Sequence, residues 1–231
     1  MVGILIIFAF NVKLLRLYRL QHNFINNFTH ELKTPVTSLK LYLETFAKHD
    51  LSREEQLKYI GFMIQDVERL STNINSILNL ARIESRLQEG APTPVDLPET
   101  IRQFIHDNSH IFRDCDIRVD QPPGGPLIYP VITSLFEMLL MNILTNAIKY
   151  NTSGKPRIDI TFENKENSLL IHFRDNGIGI AQAERKRIFS KFYQARHDGP
   201  TPVGGSGIGL YLVQQIARLH RGKVVADSEG V

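Results

Sequence analysis

A histidine, an adjacent carboxylate and a hydroxyl one helical turn later stand together in Phe28-Thr29-His30-Glu31-Leu32-Lys33-Thr34-Pro35. Imidazole is a usable nucleophile near neutral pH when one ring nitrogen is open and the other N–H is held. Glu31 could orient that ring or take its proton. Thr34 shares a helix face with His30, so its hydroxyl could direct a water at a group carried on the imidazole. Far along the chain, Asn142, Asn146 and Lys149 recur at i, i+4 and i+7, again one helix face. Amide oxygens suit a hard cation such as Mg²⁺, and lysine suits phosphate oxygens. Asp175-Asn176-Gly177-Ile178-Gly179-Ile180 joins a carboxylate acceptor to glycines that admit a ligand close to the backbone. Gly204-Gly205-Ser206-Gly207-Ile208-Gly209-Leu210 opens a helix whose first amides suit an anion.

Two common phosphate motifs do not fit. Neither glycine block follows the first strand of a βαβ unit as G-x-G-x-x-G requires, and no Gly-Lys-Ser/Thr is present for a P-loop. Among 231 residues, 27 Lys and Arg against 24 Asp and Glu leave a net charge of +3. No basic stripe with interleaved aromatics appears, so nucleic acid has no support as a partner. A hydrophobic fraction of 42% with 22% charged residues excludes disorder and fibrous repeats. The single cysteine, Cys115, excludes a disulfide framework and a cysteine-based zinc cluster, and it reads as a small, partly buried residue.

Two long helices must carry the histidine. Phe24, Phe28, Leu32, Val36, Leu39, Leu43 and Phe46 form one apolar stripe; Leu57, Ile60, Ile64, Val67, Ile74, Ile77 and Ala81 form another. Between them Ser52 and Glu55 make a capping box, so the helices form an antiparallel hairpin. Pro35 removes an N–H from the first helix and should kink it. One hairpin cannot bury both stripes, and a dimer closing a four-helix bundle can. Glu89-Gly90-Ala91-Pro92-Thr93-Pro94 is linker-like, and the period then changes. A strand and helix over Val95–Asn108, a strand at Asp116–Asp120, an apolar helix over Val131–Tyr150 and paired strands at Arg157–Glu163 and Ser168–Phe173 follow. A helix from about Ile208 to His220 and a strand beginning at Lys223–Ala226 complete a two-layer α/β sandwich. The expected boundaries are 1–20, 21–88, 89–96 as linker, and 97–231. Met1–Phe10 carries no charge and is followed by Lys13, Arg16 and Arg19, like the cytoplasmic end of a membrane helix. At ten residues it is too short to span alone. The first 20 residues thus read as the inner half of a transmembrane helix and its exit, or as an apolar helix start that packs on a partner.

Taken in order, these blocks resemble the transmitter region of bacterial sensor histidine kinases of two-component systems. FTHELKTP resembles that family's H box, NILTNAIKYN its N box, DNGIGI its G1 box, IFSKFYQA its F box and GGSGIGL its G2 box. The resemblance spans about residues 20–231. It implies a two-helix dimerisation hairpin, a four-helix bundle as a homodimer, followed by an ATP-binding two-layer sandwich of the Bergerat or GHKL type. It implies ATP and Mg²⁺ as cofactors, His30 as phosphoacceptor, Glu31 as its acid/base partner and Thr34 as the water-positioning residue of a phosphatase step. Asn142 and Asn146 would hold Mg²⁺, Lys149 and Tyr150 would face the nucleotide, and Asp175 would accept the adenine amino group, with Gly177 and Gly179 shaping the pocket. Phe189 and Phe192 would anchor a lid over about residues 182–206, with Lys191 near the phosphates. Gly205, Gly207, Gly209 and Leu210 would line the phosphate end. The implied partner is a response-regulator receiver domain, and the implied location is the bacterial inner membrane with this region on the cytoplasmic side.

Two departures from the pattern stand out. Lys191 and Gln194 occupy positions where the family usually has arginine; Lys191, Arg187 or Arg196 could supply the missing charge. The family also continues beyond Asp227-Ser228-Glu229-Gly230-Val231 with a Gly-Thr-x-Phe strand, so the sandwich is expected to lack its last strand and the chain to be a piece of a larger protein. These departures motivate an alternative, a catalytically impaired dimeric signalling scaffold. A third reading, a plain ATPase like the gyrase or chaperone ATPases, leaves the H box without a purpose.

Overall fold

The computed structural model describes residues 2–84, 90–122, 124–165, 168–195 and 207–229. The chain divides into two compact units, one built on a helical hairpin and one on an α/β core.

The hairpin consists of α1, Val2–Lys48, and α2, Arg53–Glu84. Helix α1 runs unbroken from the apolar N-terminal stretch through Pro35, whose ring is fully buried. The threonine hydroxyls around it turn inward on their own helix: Thr34 Oγ1 donates to the His30 carbonyl at 3.0 Å and Thr37 Oγ1 to that of Lys33 at 2.8 Å. Such bonds favour a bent rather than a straight helix. The turn is capped as expected. Ser52 N–H donates to Glu55 Oε2 at 2.9 Å and Glu55 N–H to Ser52 Oγ at 3.3 Å. The Ser52 side-chain and backbone hydrogen bonds hold the Glu55 carboxyl below its ordinary value of 4.5. A depressed folded-state value adds stability above the unfolded value and loses it as pH falls through the folded one. Acidification below about pH 4.5 should therefore lower the hairpin's melting temperature, and less so in Glu55→Gln, as circular dichroism melts would show.

Tyr42, Tyr59, Phe46 and Phe62 fill the closed end of the hairpin, with ring centroids 5.6–6.2 Å apart. Val36, Leu43, Leu57, Ile64, Val67 and Ile74 stay exposed, Leu43 at 61% and Ile64 at 54%. The two stripes read from the sequence are thus only partly used within one hairpin. No helix among the described residues is long and apolar enough to cross a membrane.

The second unit contains β1 (Thr93–Asp96), α3 (Leu97–Asp107), β2 (Asp116–Val119), β3 (Ile128–Val131), α4 (Thr133–Lys149), β4 (Arg157–Lys165), β5 (Ser168–Asp175) and α5 (Gly209–Leu219). Strand β4 lies between β2, parallel to it, and β5, antiparallel. Ile158 and Ile160 of β4 alternate onto one face of that sheet and are buried against a core shared with Ile101 and Phe104 of α3 and Phe136, Leu140 and Leu144 of α4. Helix α5 packs beside α4 and buries Leu212, Val213 and Ile216. Helices over one face of a mixed sheet make the two-layer sandwich that the pattern implied.

Three details differ from the sequence reading. The strand expected from Val95 begins two residues earlier, at Thr93 in the stretch read as linker, and Ile128–Val131, not read as a strand, pairs with it antiparallel. Pro130 argues against a strand there, yet it faces Pro94 across the pair. Two prolines can oppose each other only where the ladder needs no N–H, at a non-hydrogen-bonded position. Lys223–Ala226, read as a strand start, has no strand assignment. Its neighbours Asp227 and Ser228 instead bind Arg185, and Ser228 Oγ accepts from Ile180 N–H at 3.0 Å.

Helix α5 ends with Arg221 in the left-handed region at φ 58 and Gly222 N–H donating to the Ala217 carbonyl at 2.7 Å. That is a Schellman-type stop with arginine where glycine is favoured. Arg221→Gly should stabilise the unit by about 0.5–1 kcal/mol, since a left-handed L-residue costs about 1–2 kcal/mol and glycine returns part of that in the unfolded chain. Urea melts would check this.

Candidate functional site

On the hairpin, His30 is exposed, as its place beside the apolar stripe required. Thr34 lies one turn away on the same face, its hydroxyl resting on the His30 carbonyl. Glu31 points elsewhere. Successive helical residues are about 100° apart, and Glu31 turns inward, 20% exposed, to meet Arg69 of α2 at 2.8 Å. Arg69 escaped the sequence reading because it lies 38 residues away.

In the α/β unit, the N-box helix meets the start of α5. Asn142 Nδ2 donates to the Met138 carbonyl at 2.8 Å, which fixes the amide and leaves Oδ1 facing Gly209. A Cβ on Gly209 would sit 2.7 Å from that oxygen and 3.8 Å from Asn146 Nδ2. Glycine is needed there because the helix N-terminus approaches two amide side chains so closely. Lys149, at the far end of α4, lies with Nζ 5.1 Å from the Tyr150 ring centroid. Tyr150 caps α4, and burial pushes its hydroxyl above the ordinary value, so it stays neutral at physiological pH.

The G1 segment closes on the same helix end. Asp175 ends β5 with its side chain exposed; its Oδ1 accepts from Gly177 N–H at 2.8 Å, which aims the carboxylate. Ile178 N–H donates to the Tyr150 carbonyl at 3.1 Å. Gly179 follows at φ 77, a conformation open to glycine. Asn176 ties the strand end to the α4–β4 loop. Its Oδ1 accepts from Arg157 N–H at 2.8 Å and from Asn151 Nδ2 at 2.6 Å, and its Nδ2 donates to Ser153 Oγ at 2.9 Å. No role was expected for Asn176, although asparagine beside a polar Asn-Thr-Ser-Gly turn is the kind of pairing such networks use.

Phe189 is buried at 6%. Phe192 adopts φ 65, and its N–H donates to the Gly207 carbonyl at 3.0 Å. Gly207 itself has φ 66, and a Cβ there would stand 2.8 Å from the Phe192 carbonyl carbon. Lys191 lies with Nζ 4.9 Å from the Phe192 ring centroid. Leu210 is half-buried in the first turn of α5. Gly205, Arg196 and the second half of the expected lid lie outside the described residues.

The hairpin and the sandwich each match a known domain. Residues 20–86 match the His Kinase A (phospho-acceptor) domain, and residues 132–230 match the histidine kinase-, DNA gyrase B- and HSP90-like ATPases. The chain belongs to the sensor histidine kinases. It is 28% identical over 212 residues to the sensor histidine kinase MtrB of Mycolicibacterium paratuberculosis, covering 91% of this chain and 37% of that protein. With the sensor histidine kinase RppB of Synechocystis it shares 29% identity over 217 residues, covering 91% of this chain and 47% of the relative. The chain therefore spans less than half the length of these relatives. Among solved structures, the histidine kinase ThkA in complex with response regulator protein TrrA superposes with a TM-score of 0.66 at 22% identity, covering 87% of this chain and 56% of that one. At that identity the likeness is one of fold: a helical hairpin followed by the ATP-binding sandwich of these kinases. The second module is thus an ATP-binding domain of the ATPase family shared by histidine kinases, DNA gyrase B and HSP90.

Proposed function

We propose that the protein containing this chain phosphorylates itself on His30 from ATP and passes the phosphoryl group to an aspartate of a response-regulator receiver domain. The observation that carries the reading is the close fit of Gly209 against Asn142 and Asn146. It brings the start of a helix, the Asn142 amide oxygen and the Asn146 side-chain amide to one spot, the kind of parts phosphoryl transfer needs. In the first step a ring nitrogen of His30 attacks the γ-phosphorus, a P–N bond forms, the P–O bond to ADP breaks, and the ring proton leaves to Glu31 or solvent. In the second, a receiver carboxylate oxygen attacks that phosphorus and the P–N bond breaks. A hydrolytic return step would use Thr34 to aim water at the phosphorylated partner.

Among the described residues no three His, Cys, Asp or Glu gather to hold a metal. Amide oxygens with nucleotide phosphates fit Mg²⁺ better, because that ion keeps few protein ligands. Asn142 and Asn146 would hold it, and bound there it would neutralise charge on the transferring phosphate. Asp175, aimed by Gly177, would accept from the adenine amino group. Tyr150, Lys149, Gly179, Gly207 and Leu210 would surround the nucleotide, while Phe189 and Phe192 would anchor the lid and Lys191 would lie near the phosphates.

The exposed stripes of α1 and α2, with the shallow groove of Val36, Leu39, Lys40, Leu43, Glu44 and Ala47, support a homodimer that closes a four-helix bundle. The apolar start of α1, with Ile7, Phe8 and Phe10 exposed, supports attachment to the bacterial inner membrane with this region in the cytoplasm. Autophosphorylation with γ-labelled ATP tests the reading, with the variants given in the Discussion.

A further inference from the structure

Within the proposed reaction at His30, we infer that Arg69 is a positioning residue: it reaches across the hairpin and fixes the carboxylate of Glu31, the residue that follows the phosphoacceptor in the chain, on the side of α1 that faces α2. This rests on the reading of His30 as phosphoacceptor. Arg69 Nη2 donates to Glu31 Oε2 at 2.8 Å, an ion pair that joins α1 to α2. Two further pairs, Lys40–Glu44 and Lys48–Glu44, run between residues four apart on α1. The Glu31 side chain is 20% exposed and that of Arg69 48% exposed, so the carboxylate is the more buried partner.

A glutamate next to a histidine cannot share its face, so any help from Glu31 depends on where its flexible side chain is held. Three rotatable bonds would otherwise spread the carboxylate over many positions, and an acid/base group helps only within hydrogen-bond reach of its proton. A guanidinium restricts it with a planar, directional donor, which an ammonium reproduces only in part. The pair also ties the two helices at the level of His30, so the position of α2 reaches the reacting ring through one carboxylate. A half-exposed ion pair is weak, about 0–1 kcal/mol, so its value lies in placement rather than in holding the hairpin together.

The test is a double-mutant cycle of Arg69→Met and Glu31→Gln, with Arg69→Lys as the conservative variant, in the whole chain. His30 is labelled in two ways: from γ-labelled ATP with Mg²⁺, and chemically from phosphoramidate, which needs no ATP site. Arg69→Met should slow labelling about tenfold in kcat, leave the KM for ATP within twofold, and recover in part in Arg69→Lys. In the Glu31→Gln background it should have no further effect. Chemical labelling should show the same non-additivity. Equal rates in Arg69→Met and wild type, additive effects, or a change confined to KM would each overturn the inference, provided the helical signal and melting temperature are retained. Should ATP label nothing while phosphoramidate labels His30, the kinase reading falls, and the cycle is still decided on the chemical arm.

Discussion

Replacing His30 with Gln should reduce phosphate label to background, and Asn146→Asp should lower it by about 100-fold, the loss typical of removing one charge-stabilising group. The label on the unsubstituted chain should be lost in acid and survive in alkali, as a P–N bond does. Glutamine keeps much of the bulk and hydrogen-bonding capacity of histidine, but its amide nitrogen has no free lone pair to attack phosphorus. Position 30 is exposed on a helix, so the hairpin should keep its stability to within about 0.5 kcal/mol. Asn146→Asp acts in the other unit. It puts a carboxylate beside Asn142 and the first amides of α5, where Gly209 leaves room for no larger group. A negative charge there opposes phosphate and replaces a neutral ligand with one that binds Mg²⁺ alone. Two remote substitutions with the same outcome would tie both units to one reaction. Label persisting in His30→Gln would place the phosphate on another residue and end the assignment.

The helical hairpin was legible because two amphipathic stripes and one capping box are local signals, and the Ser52–Glu55 pair forms as its spacing requires. The glycine blocks were legible for the same reason, since Gly177, Gly207 and Gly209 each stand where a Cβ would strike a neighbour. What periodicity cannot carry is partnership across the fold. Nothing in α2 marks Arg69 above its other polar residues until α1 is laid against it. Strand β3 was hidden by Pro130, whose cost vanishes because its position in the pair with β1 needs no N–H. The segment after α5 reads as a strand by composition, yet Asp227 and Ser228 are held by Arg185, a tertiary contact over more than 40 residues. Asn176 sat inside a recognised block, and its work became visible only with the α4–β4 loop in place.

Gly177→Ala should weaken ATP binding at least tenfold while leaving the hairpin untouched. Gly177 lies outside the left-handed region, so its need for glycine is one of space and not of backbone freedom. An added Cβ would lie 2.7 Å from Asp175 Oδ1 and 2.9 Å from the Tyr150 carbonyl oxygen. The first contact can be relieved by swinging the carboxylate, which breaks its bond from Gly177 N–H and loses the aim at the base. The second cannot be relieved so cheaply. The Tyr150 carbonyl is backbone at the end of α4 and accepts from Ile178 N–H at 3.1 Å. Either way the strain falls on Asp175 or on the helix end that carries Asn146 and Lys149, and overpacking of this kind costs about 1–3 kcal/mol. Calorimetric titration with a non-hydrolysable ATP analogue and Mg²⁺ would measure the loss. Gly61→Ala on α2, where an added Cβ meets nothing within 4 Å, is the control and should bind as the unsubstituted chain does. Equal affinity in Gly177→Ala would mean that Asp175 does not meet the nucleotide, and the base-recognition role would have to move to another residue.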